Sequence, residues 1–329
     1  MKETNDVDRL YEMLRQTPLL FPFQWNTSAD AIDFVGIQEA EYSQASFLDN
    51  RVIHSESVWG RVPIALLNDI QPYLRPKCDF IFHVSHCGST LLSRLLGLHR
   101  DCFALREPLI LRDFDPKEIS EIETLFGLLS RTFHPEQTSL IKVTSFASQF
   151  ASTWLSVLTK SKAILMTLSL ETFLAAVLDG SLSDIESQKV QRFIRLERLG
   201  IRLPSNVESL SPGPLAAMSW LCEMLSLEAI HKRFPDRCHW LSFEQLLENP
   251  GERLTQVVEF LGYTEPHPAW EDHPLWTQYA KHPGVFYDSH LRMRLLADSR
   301  KKFEHEIHKG LNWFEGLSEP RVAALGNQR

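Results

Sequence analysis

Hydrophobic positions from Cys78 onward follow two alternating patterns. Short, nearly continuous apolar runs are typical of strands buried on both faces of a parallel sheet, and apolar residues spaced three and four apart are typical of helices. The predicted strands are 80–84, 102–105, 140–144, 163–168 and 238–243. The predicted helices are 117–131, 146–159, 173–180, 185–199 and 214–232. This alternation predicts an α/β fold in which crossover helices flank a central parallel sheet.

The first 75 residues follow neither pattern clearly. Leu10 and Leu14 share one face of a predicted amphipathic helix. Mixed, irregular sequence then continues to Pro72 and Pro76. We therefore divide the chain into an N-terminal extension, residues 1–75, packed on an α/β domain, residues 76–329. Within the domain we expect a core at 78–262 and a helical tail at 263–329.

The connection between the first strand and its helix carries candidate chemistry. After the strand at 80–84 come small and short polar residues with one glycine, and then a helix whose leucines at 91, 92, 95 and 96 share one face. This order predicts a phosphate-cradling turn, because the first free N–H groups of the helix point at an anion. An ordinary turn capped by Ser85 or Ser89 explains the same pattern without a ligand. The candidate anion-binding residues are Ser85, His86, Cys87, Gly88, Ser89 and Thr90.

The turn differs from the phosphate loop of ATP- and GTP-hydrolysing proteins. That loop needs a glycine four residues before Gly-Lys-Ser/Thr, and its lysine contacts the β- and γ-phosphates. Here His83 and Ser89 stand at the glycine and lysine positions. Hydrolysis of ATP or GTP by the usual route is therefore disfavoured.

Two segments instead resemble the sulfotransferase family. The family loop reads Pro-Lys/Arg-Ser-Gly-Thr-Thr, and the turn matches it with Ser85 for proline, His86 for the basic residue and Cys87 for serine. The family also has a strand ending in Tyr-Glu-Asp-Leu, followed by a proline-marked turn and a helix closing on Phe-Leu-Gly. Residues 243–262 resemble this segment, with Pro250 at the helix start and Gly262 after its end.

The resemblance implies a fold and an activity. The implied fold is a P-loop-type three-layer sandwich with a central parallel sheet. The implied activity is transfer of a sulfuryl group from 3′-phosphoadenosine-5′-phosphosulfate, the co-substrate, to an acceptor hydroxyl or amine. In the family, a basic, glycine-containing segment near the C-terminus closes over the nucleotide, and Lys309 with Gly310 is the candidate for it here.

Three residues are candidates for catalysis. His86 stands at the family's basic loop position and, when protonated, can donate to the leaving oxygen. Lys142 lies in an apolar predicted strand, where a lysine is unusual, near the edge at which ligands gather in α/β sheets. Glu107 with Pro108 resembles the Glu-Pro at which bacterial and protein-tyrosine members of the family place their base. Structural alternatives are a hydrogen-bonded loop histidine and a strand-end ion pair of Glu107 with Arg106.

The site for the donor's 3′-phosphate departs from the family. The family has an arginine at the end of the fourth strand and a serine on the next helix, and the matching residues here are Thr167 and Ala175. Thr167 and Ser169 retain hydroxyls for a phosphate, but a strong arginine–phosphate contact is lost. Either another cation compensates or the donor differs. The candidates for compensation are Lys160, Lys162, Arg192 and Arg195.

Composition indicates which partners and which cellular compartment to expect. The formal charge of −8 over 329 residues argues against a general nucleic-acid binder. No apolar run approaches membrane-spanning length, and the start lacks the pattern of a signal peptide. Five scattered cysteines form neither a disulfide framework nor a metal-binding pair. We therefore expect a cytoplasmic enzyme with a nucleotide donor, an unidentified acceptor and no metal; the sequence leaves the oligomeric state open.

Two other functions remain open. A non-catalytic member of the same fold, binding an anion or nucleotide, is favoured by the missing arginine at Thr167 and the missing serine at Ala175. Lys142 and Glu107 together favour the enzyme. A phosphoryl transferase of kinase-like type is disfavoured, because Gly88-Ser89-Thr90 lacks the lysine.

Overall fold

A computed structural model describes residues 2–317 except 113, 115–117, 181, 202, 204–206, 265 and 281–283, and of residues 2–8 the backbone alone. The strands are β1 (Leu20–Asn26), β2 (Ala31–Gly36), β3 (Trp59–Pro63), β4 (Cys78–His83), β5 (Cys102–Arg106), β6 (Thr138–Lys142), β7 (Ala163–Thr167) and β8 (Cys238–Ser242). The α-helices are α1 (Lys2–Gln16), α2 (Glu39–Gln44), α3 (Ile64–Ile70), α4 (Ser89–Leu96), α5 (Ile119–Leu129), α6 (Ala151–Val157), α7 (Leu170–Leu178), α8 (Leu182–Ser187), α9 (Lys189–Arg198), α10 (Pro212–Arg233), α11 (Phe243–Glu248), α12 (Pro250–Leu261), α13 (Ser289–Lys302) and α14 (Glu304–Glu315).

The central sheet has five parallel strands in the order β5-β6-β4-β7-β8. Strand β4 is the middle strand, and all six of its residues are buried, as its continuous apolar run requires. Helices flank the sheet, with α4 and α10 both packing against β4. The predicted α/β fold with a central parallel sheet is confirmed.

The strand order creates a crevice at the carboxyl edge of the sheet. After β4 the chain leaves toward β5 on one side, and after β7 it leaves toward β8 on the other. Ligands of open α/β sheets bind where neighbouring connections diverge in this way. The candidate loop follows β4, and Thr167 ends β7. Chain topology therefore brings the two predicted parts of the site to one crevice.

The N-terminal region is more ordered than its sequence suggests. The expectation of irregular sequence up to Pro76 is wrong, because β1, β2 and β3 form an antiparallel sheet. Buried Arg131, on the α/β side, donates to the carbonyl oxygens of Leu14 and Leu20. The predicted first helix is confirmed. The boundary at residue 75 remains a prediction.

The tail forms two helices, α13 and α14, while residues 318–329 of the predicted tail lie outside the described residues. Gly310 lies in α14, and a Cβ built there would lie 2.8 Å from the carbonyl oxygen of Gly213 in α10. Lys309 pairs with Glu306 in the same helix. Lys309-Gly310 is thus part of a close helix–helix contact, and its closure over the nucleotide remains a prediction.

Several predicted boundaries shift. Residue 117, the predicted start of one helix, lies outside the described residues. The predicted helix 146–159 begins as a 3-10 helix, Ser145–Phe150, and the predicted helix 185–199 divides into α8 and α9. Strand β6 ends at Lys142, so that residues 143 and 144 lie beyond it. Pro250 begins α12, and Gly262, at φ +85°, ends it as predicted. In the described part of the chain, no helix combines the length and apolar character needed to span a bilayer.

Candidate functional site

The loop after β4 has an unusual backbone. Ser85, His86 and Gly88 have φ values of 35°, 53° and 70°. The left-handed region is disfavoured for residues with a Cβ, and two such residues in succession indicate that the surroundings enforce the turn. Turns of this kind gather backbone N–H groups into a concave, anion-binding arrangement. Helix α4 begins directly after Gly88.

His83, the last residue of β4, fixes the start of this turn. Its ring is buried; Nε2 lies 2.8 Å from the carbonyl oxygen of Val143, and Nδ1 accepts a hydrogen bond from the Ser85 N–H. The ring therefore joins the loop to the end of β6. Sequence reasoning gave His83 no role; its signal is a histidine that directly follows the apolar run Phe80-Ile81-Phe82.

Two features require glycine at position 88: its positive φ and the lack of space for a side chain. A Cβ built on it would lie 2.2 Å from Cε2 of Phe243. The Phe243 ring, at the start of α11, is itself buried. Phe243 matches the tyrosine of the family's second segment, and the structure brings that segment against the loop.

Burial limits which groups of the other loop residues can contact an anion. The Cys87 side chain is fully buried, and its thiol donates to the carbonyl oxygen of Met166. Burial raises the pKa of Cys87 to about 12, which the charge of Lys142 only partly opposes. Cys87 is thus a thiol at neutral pH, and only its backbone can face an anion. Ser89 and Thr90 are also buried, in the first turn of α4.

Lys142 and Glu107 form an ion pair at the carboxyl edge of the sheet. Lys142 Nζ donates to Glu107 Oε1, with 1% of the Lys142 side chain and 14% of the Glu107 side chain exposed. The Glu107 N–H also donates to the carbonyl oxygen of Lys142, 2.7 Å away. Glu107 has φ 49°, a second disfavoured backbone at this edge. We refer to these residues as the Lys142–Glu107 pair.

The N-terminal extension covers the Lys142–Glu107 pair. Leu48 donates its N–H to the Arg106 carbonyl and accepts from the Leu109 N–H, so it brackets Glu107. Beside it, the Phe47 ring centroid lies 5.8 Å from Lys142 Nζ. Sequence reasoning found no chemistry in this region and missed Phe47. No local pattern marks it, because the contact joins two distant segments.

Arg106 has a structural role. It is 3% exposed, and its guanidinium donates to the carbonyl oxygens of Tyr42, Ser43 and Ala45 at the end of α2. Its partners are therefore in the extension, whereas Glu107 is held by Lys142. The ion pair of Glu107 with Arg106 that the sequence left open is replaced by one with Lys142.

The end of β7 contributes hydroxyl groups. Ser169 caps α7 and accepts from the Thr172 N–H, while its own N–H points to Glu244 Oε1 at 3.4 Å. The Ala175 side chain is fully buried, and its carbonyl oxygen accepts from Ser299 of α13. The position at which the family has its phosphate-binding serine is therefore covered by the tail.

The structure thus brings the loop, Lys142 and Glu107 to one edge of the sheet, with Thr167 and Ser169 beside them across β4 and β7. The His86 ring lies 6.3 Å, centroid to centroid, from Phe173 of α7. A cavity of about 230 Å³ beside Tyr42, Arg94 and β5 is lined by Arg106 but by none of the candidate catalytic or anion-binding residues. In the described ranges, no three His, Cys, Asp or Glu side chains are grouped as metal ligands would be.

Comparisons with known proteins give structural neighbours only. No family model matches the sequence, and no curated protein matches it. The chain is similar to the sulfotransferase domain from the curacin biosynthetic pathway, at 15% identity and a TM-score of 0.43 over 70% of this chain and 98% of that one. It is also similar to a sulfotransferase from Alicyclobacillus acidocaldarius (16% identity, TM-score 0.37, 71% and 96% covered) and to sulfotransferase STF9 from Mycobacterium avium (10%, 0.41, 73% and 81%).

All three neighbours bear the family name that the sequence resemblance gave. Their identities and TM-scores are too low to carry an argument about function. Any function assigned to this chain therefore depends on its own residues.

Proposed function

We propose that the protein transfers a sulfuryl group from 3′-phosphoadenosine-5′-phosphosulfate to an acceptor hydroxyl or amine. The observation that carries this proposal is the Lys142–Glu107 pair, a buried cation and a reachable carboxylate beside a left-handed loop at the sheet edge. A cation can stabilise the leaving phosphate and a carboxylate can accept the acceptor's proton, which are the two groups that this reaction needs.

The bonds in this reaction change as follows. The acceptor oxygen or nitrogen forms a bond to sulfur while the bond between sulfur and the bridging phosphate oxygen breaks. The acceptor's proton passes to Glu107, and the electron pair of the broken bond stays on adenosine 3′,5′-bisphosphate. As in phosphoryl transfer, the protein mainly positions groups and stabilises charge.

The roles of the residues follow from their surroundings. Lys142 binds one oxygen of Glu107, and no described residue donates a hydrogen bond to the other oxygen, which leaves it for the acceptor. We assign Lys142 and His86 to the leaving phosphate. The backbone of residues 85–90 and the hydroxyls of Thr167 and Ser169 hold the donor's phosphates. The reaction requires no metal.

Nucleotide preference tests the function. Adenosine 3′,5′-bisphosphate is expected to raise the melting temperature more than ATP does at equal concentration, because a ligand stabilises in proportion to the logarithm of its concentration over Kd. The measurement is a thermal shift titration with both nucleotides. Equal or greater stabilisation by ATP would contradict the proposal and favour phosphoryl transfer.

Turnover tests the roles within the site. Glu107→Gln keeps the size of the side chain but cannot take a proton, so turnover should fall by about 100-fold or more while affinity for adenosine 3′,5′-bisphosphate is retained. Lys142→Ala and His86→Ala should lower both quantities. Slow hydrolysis of the sulfate donor by water provides an assay without a known acceptor. A fully active Glu107→Gln variant would show that the base lies elsewhere.

A non-catalytic nucleotide-binding protein is the second candidate. The burial of Ala175 beneath α13 favours it, because one family contact to the donor is covered. This candidate predicts binding of adenosine 3′,5′-bisphosphate with no release of sulfate from the donor, in water or with any acceptor tested.

We also propose a reducing, cytoplasmic location. All five cysteines are free and buried. Buried thiols without disulfide partners are typical of proteins from reducing compartments.

A further inference from the structure

The donor site lacks a cation at the end of β7, and the four residues that the sequence offered lie elsewhere. Lys160 and Lys162 precede β7 and are therefore at the opposite edge of the sheet, where Lys162 Nζ donates to the Phe260 carbonyl. Arg192 and Arg195 are buried between α9 and α10 and pair with Glu223. None of these cations reaches the crevice between β4 and β7.

Two arginines of the tail helix α13 lie at this crevice instead. Arg300 Nη2 is 3.3 Å from Thr172 Oγ1, which itself accepts from Ser169 Oγ at 2.8 Å. Arg292 lies over the Phe243 ring, with Cζ 4.8 Å from the centroid. Gly88 lies against the same ring, since a Cβ built on it would be 2.2 Å from Phe243 Cε2, so Arg292 and the loop share the Phe243 ring as a neighbour.

The present partners of these arginines leave them able to bind an anion. Arg300 pairs with Glu171 at 2.8 Å, but the two side chains are 40% and 54% exposed, and exposed pairs of this kind are weak. Arg292 is half-buried, and burial lowers its pKa; the nearby Tyr287 and Glu244 oppose this shift, and the charge of Arg300 adds to it. Two guanidinium groups close enough to repel each other would both be stabilised by an anion between them.

We propose that Arg292 and Arg300 bind the 3′-phosphate of the donor, so that α13 supplies the charge missing from the end of β7. This inference rests on the proposed function and goes beyond it in assigning discrimination between nucleotides to the tail. A 3′-phosphate enters next to the Ser169 and Thr172 hydroxyls, and the arginines close on it from α13. The protein then distinguishes adenosine 3′,5′-bisphosphate from adenosine 5′-monophosphate through these two residues.

The test compares the two nucleotides, which differ only in the 3′-phosphate, by isothermal titration calorimetry. Arg292→Ala and Arg300→Ala should each weaken binding of adenosine 3′,5′-bisphosphate by about 10- to 100-fold, the range for a lost charged hydrogen bond. Binding of adenosine 5′-monophosphate should stay within about 2-fold. Arg294→Ala, an exposed arginine on the same helix, is the matched control and should change neither affinity. Circular dichroism checks that each variant is folded.

The possible outcomes separate the two proposals. If Arg292→Ala and Arg300→Ala weaken both nucleotides equally, or leave adenosine 3′,5′-bisphosphate unaffected, the role of α13 is wrong while the loop remains a nucleotide site. A parent protein that binds both nucleotides equally tightly also overturns the inference alone. If the parent binds neither nucleotide, the proposed function fails and this inference with it.

Discussion

At the scale of single residues, the Lys142–Glu107 pair is asymmetric. Lys142 is almost fully buried, whereas Glu107 keeps some contact with solvent. Removing one partner of a buried pair leaves the other charge without compensation, and the cost depends on how deeply that remaining charge is buried. The lysine therefore depends on the glutamate for stability more than the glutamate depends on the lysine.

This asymmetry predicts different costs for the two substitutions. Glu107→Gln should destabilise the fold by about 3 kcal/mol, because it leaves a buried ammonium group without a carboxylate. Lys142→Met should cost less, since Glu107 can be hydrated. The double variant should be more stable than Glu107→Gln alone. Urea unfolding of all four proteins measures these differences, and equal costs for the two single variants would contradict the asymmetry.

Gly88 offers a second test at this scale. Gly88→Ala should destabilise by about 1–3 kcal/mol, because φ is positive and the Phe243 ring must move. Adding Phe243→Leu should recover part of this cost, and a double-mutant cycle measures the coupling. Gly60→Ala, where a built Cβ would meet nothing within 4 Å, serves as the control. Additive costs at Gly88 and Phe243 would show that the ring does not constrain the loop.

The sequence predicted some of these residues and missed others for a physical reason. Gly88, Lys142 and Glu107 are conspicuous locally, as a glycine in a polar turn, a lysine in an apolar strand and a glutamate before a proline. Phe47 and Arg292 are ordinary in their own segments. They reach the site only because distant elements pack together, and a single sequence gives no signal of such contacts.

At the scale of elements, the strands of the central sheet were predictable and those of the extension were not. Strand β4 is buried on both faces and shows a continuous apolar run. Strand β3 has only Val62 buried among five residues, and β1 contains Pro22 beside a register shift. Edge positions and bulges remove the alternation that marks an antiparallel strand. The antiparallel sheet of the extension was therefore missed.

Arg106 connects the extension to the central sheet, which gives a prediction for whole elements. Arg106→Lys retains the charge but cannot donate to three carbonyl groups at the end of α2 at once. We expect a loss of roughly 3 kcal/mol, together with faster amide exchange in residues 39–48. Arg75→Lys, an exposed arginine that also donates to carbonyl groups, is the control. Unchanged exchange in 39–48 would show that α2 is held by other contacts.

At the scale of the whole molecule, stability depends on pH through a buried carboxyl group far from the candidate site. Asp79 in β4 is 6% exposed and accepts a hydrogen bond from the Lys162 N–H at 2.7 Å. Burial raises its pKa from 3.8 to about 6, against the opposing effect of that hydrogen bond. Between these two values the folded protein binds a proton that the unfolded chain has lost. The contribution of Asp79 to stability therefore falls as pH rises through this window, and its cost is complete above about pH 6.

Asp79→Asn removes this cost, because the amide oxygen can still accept from the Lys162 N–H without carrying a charge. The variant should be more stable than the parent at pH 7.5 by up to about 3 kcal/mol, which corresponds to a shift of about two pK units. The difference should shrink as pH falls through 6 and disappear near pH 4, where the Asp79 carboxyl is neutral in the folded protein. Thermal or urea unfolding of both proteins from pH 4 to 8 measures it, with the exposed Asp298→Asn as the control. Two results would contradict this prediction: a stability difference between variant and parent that does not change with pH, or one that favours the variant less at pH 7.5 than at pH 4.5. Either would show that Asp79 is charged at no cost in the folded protein.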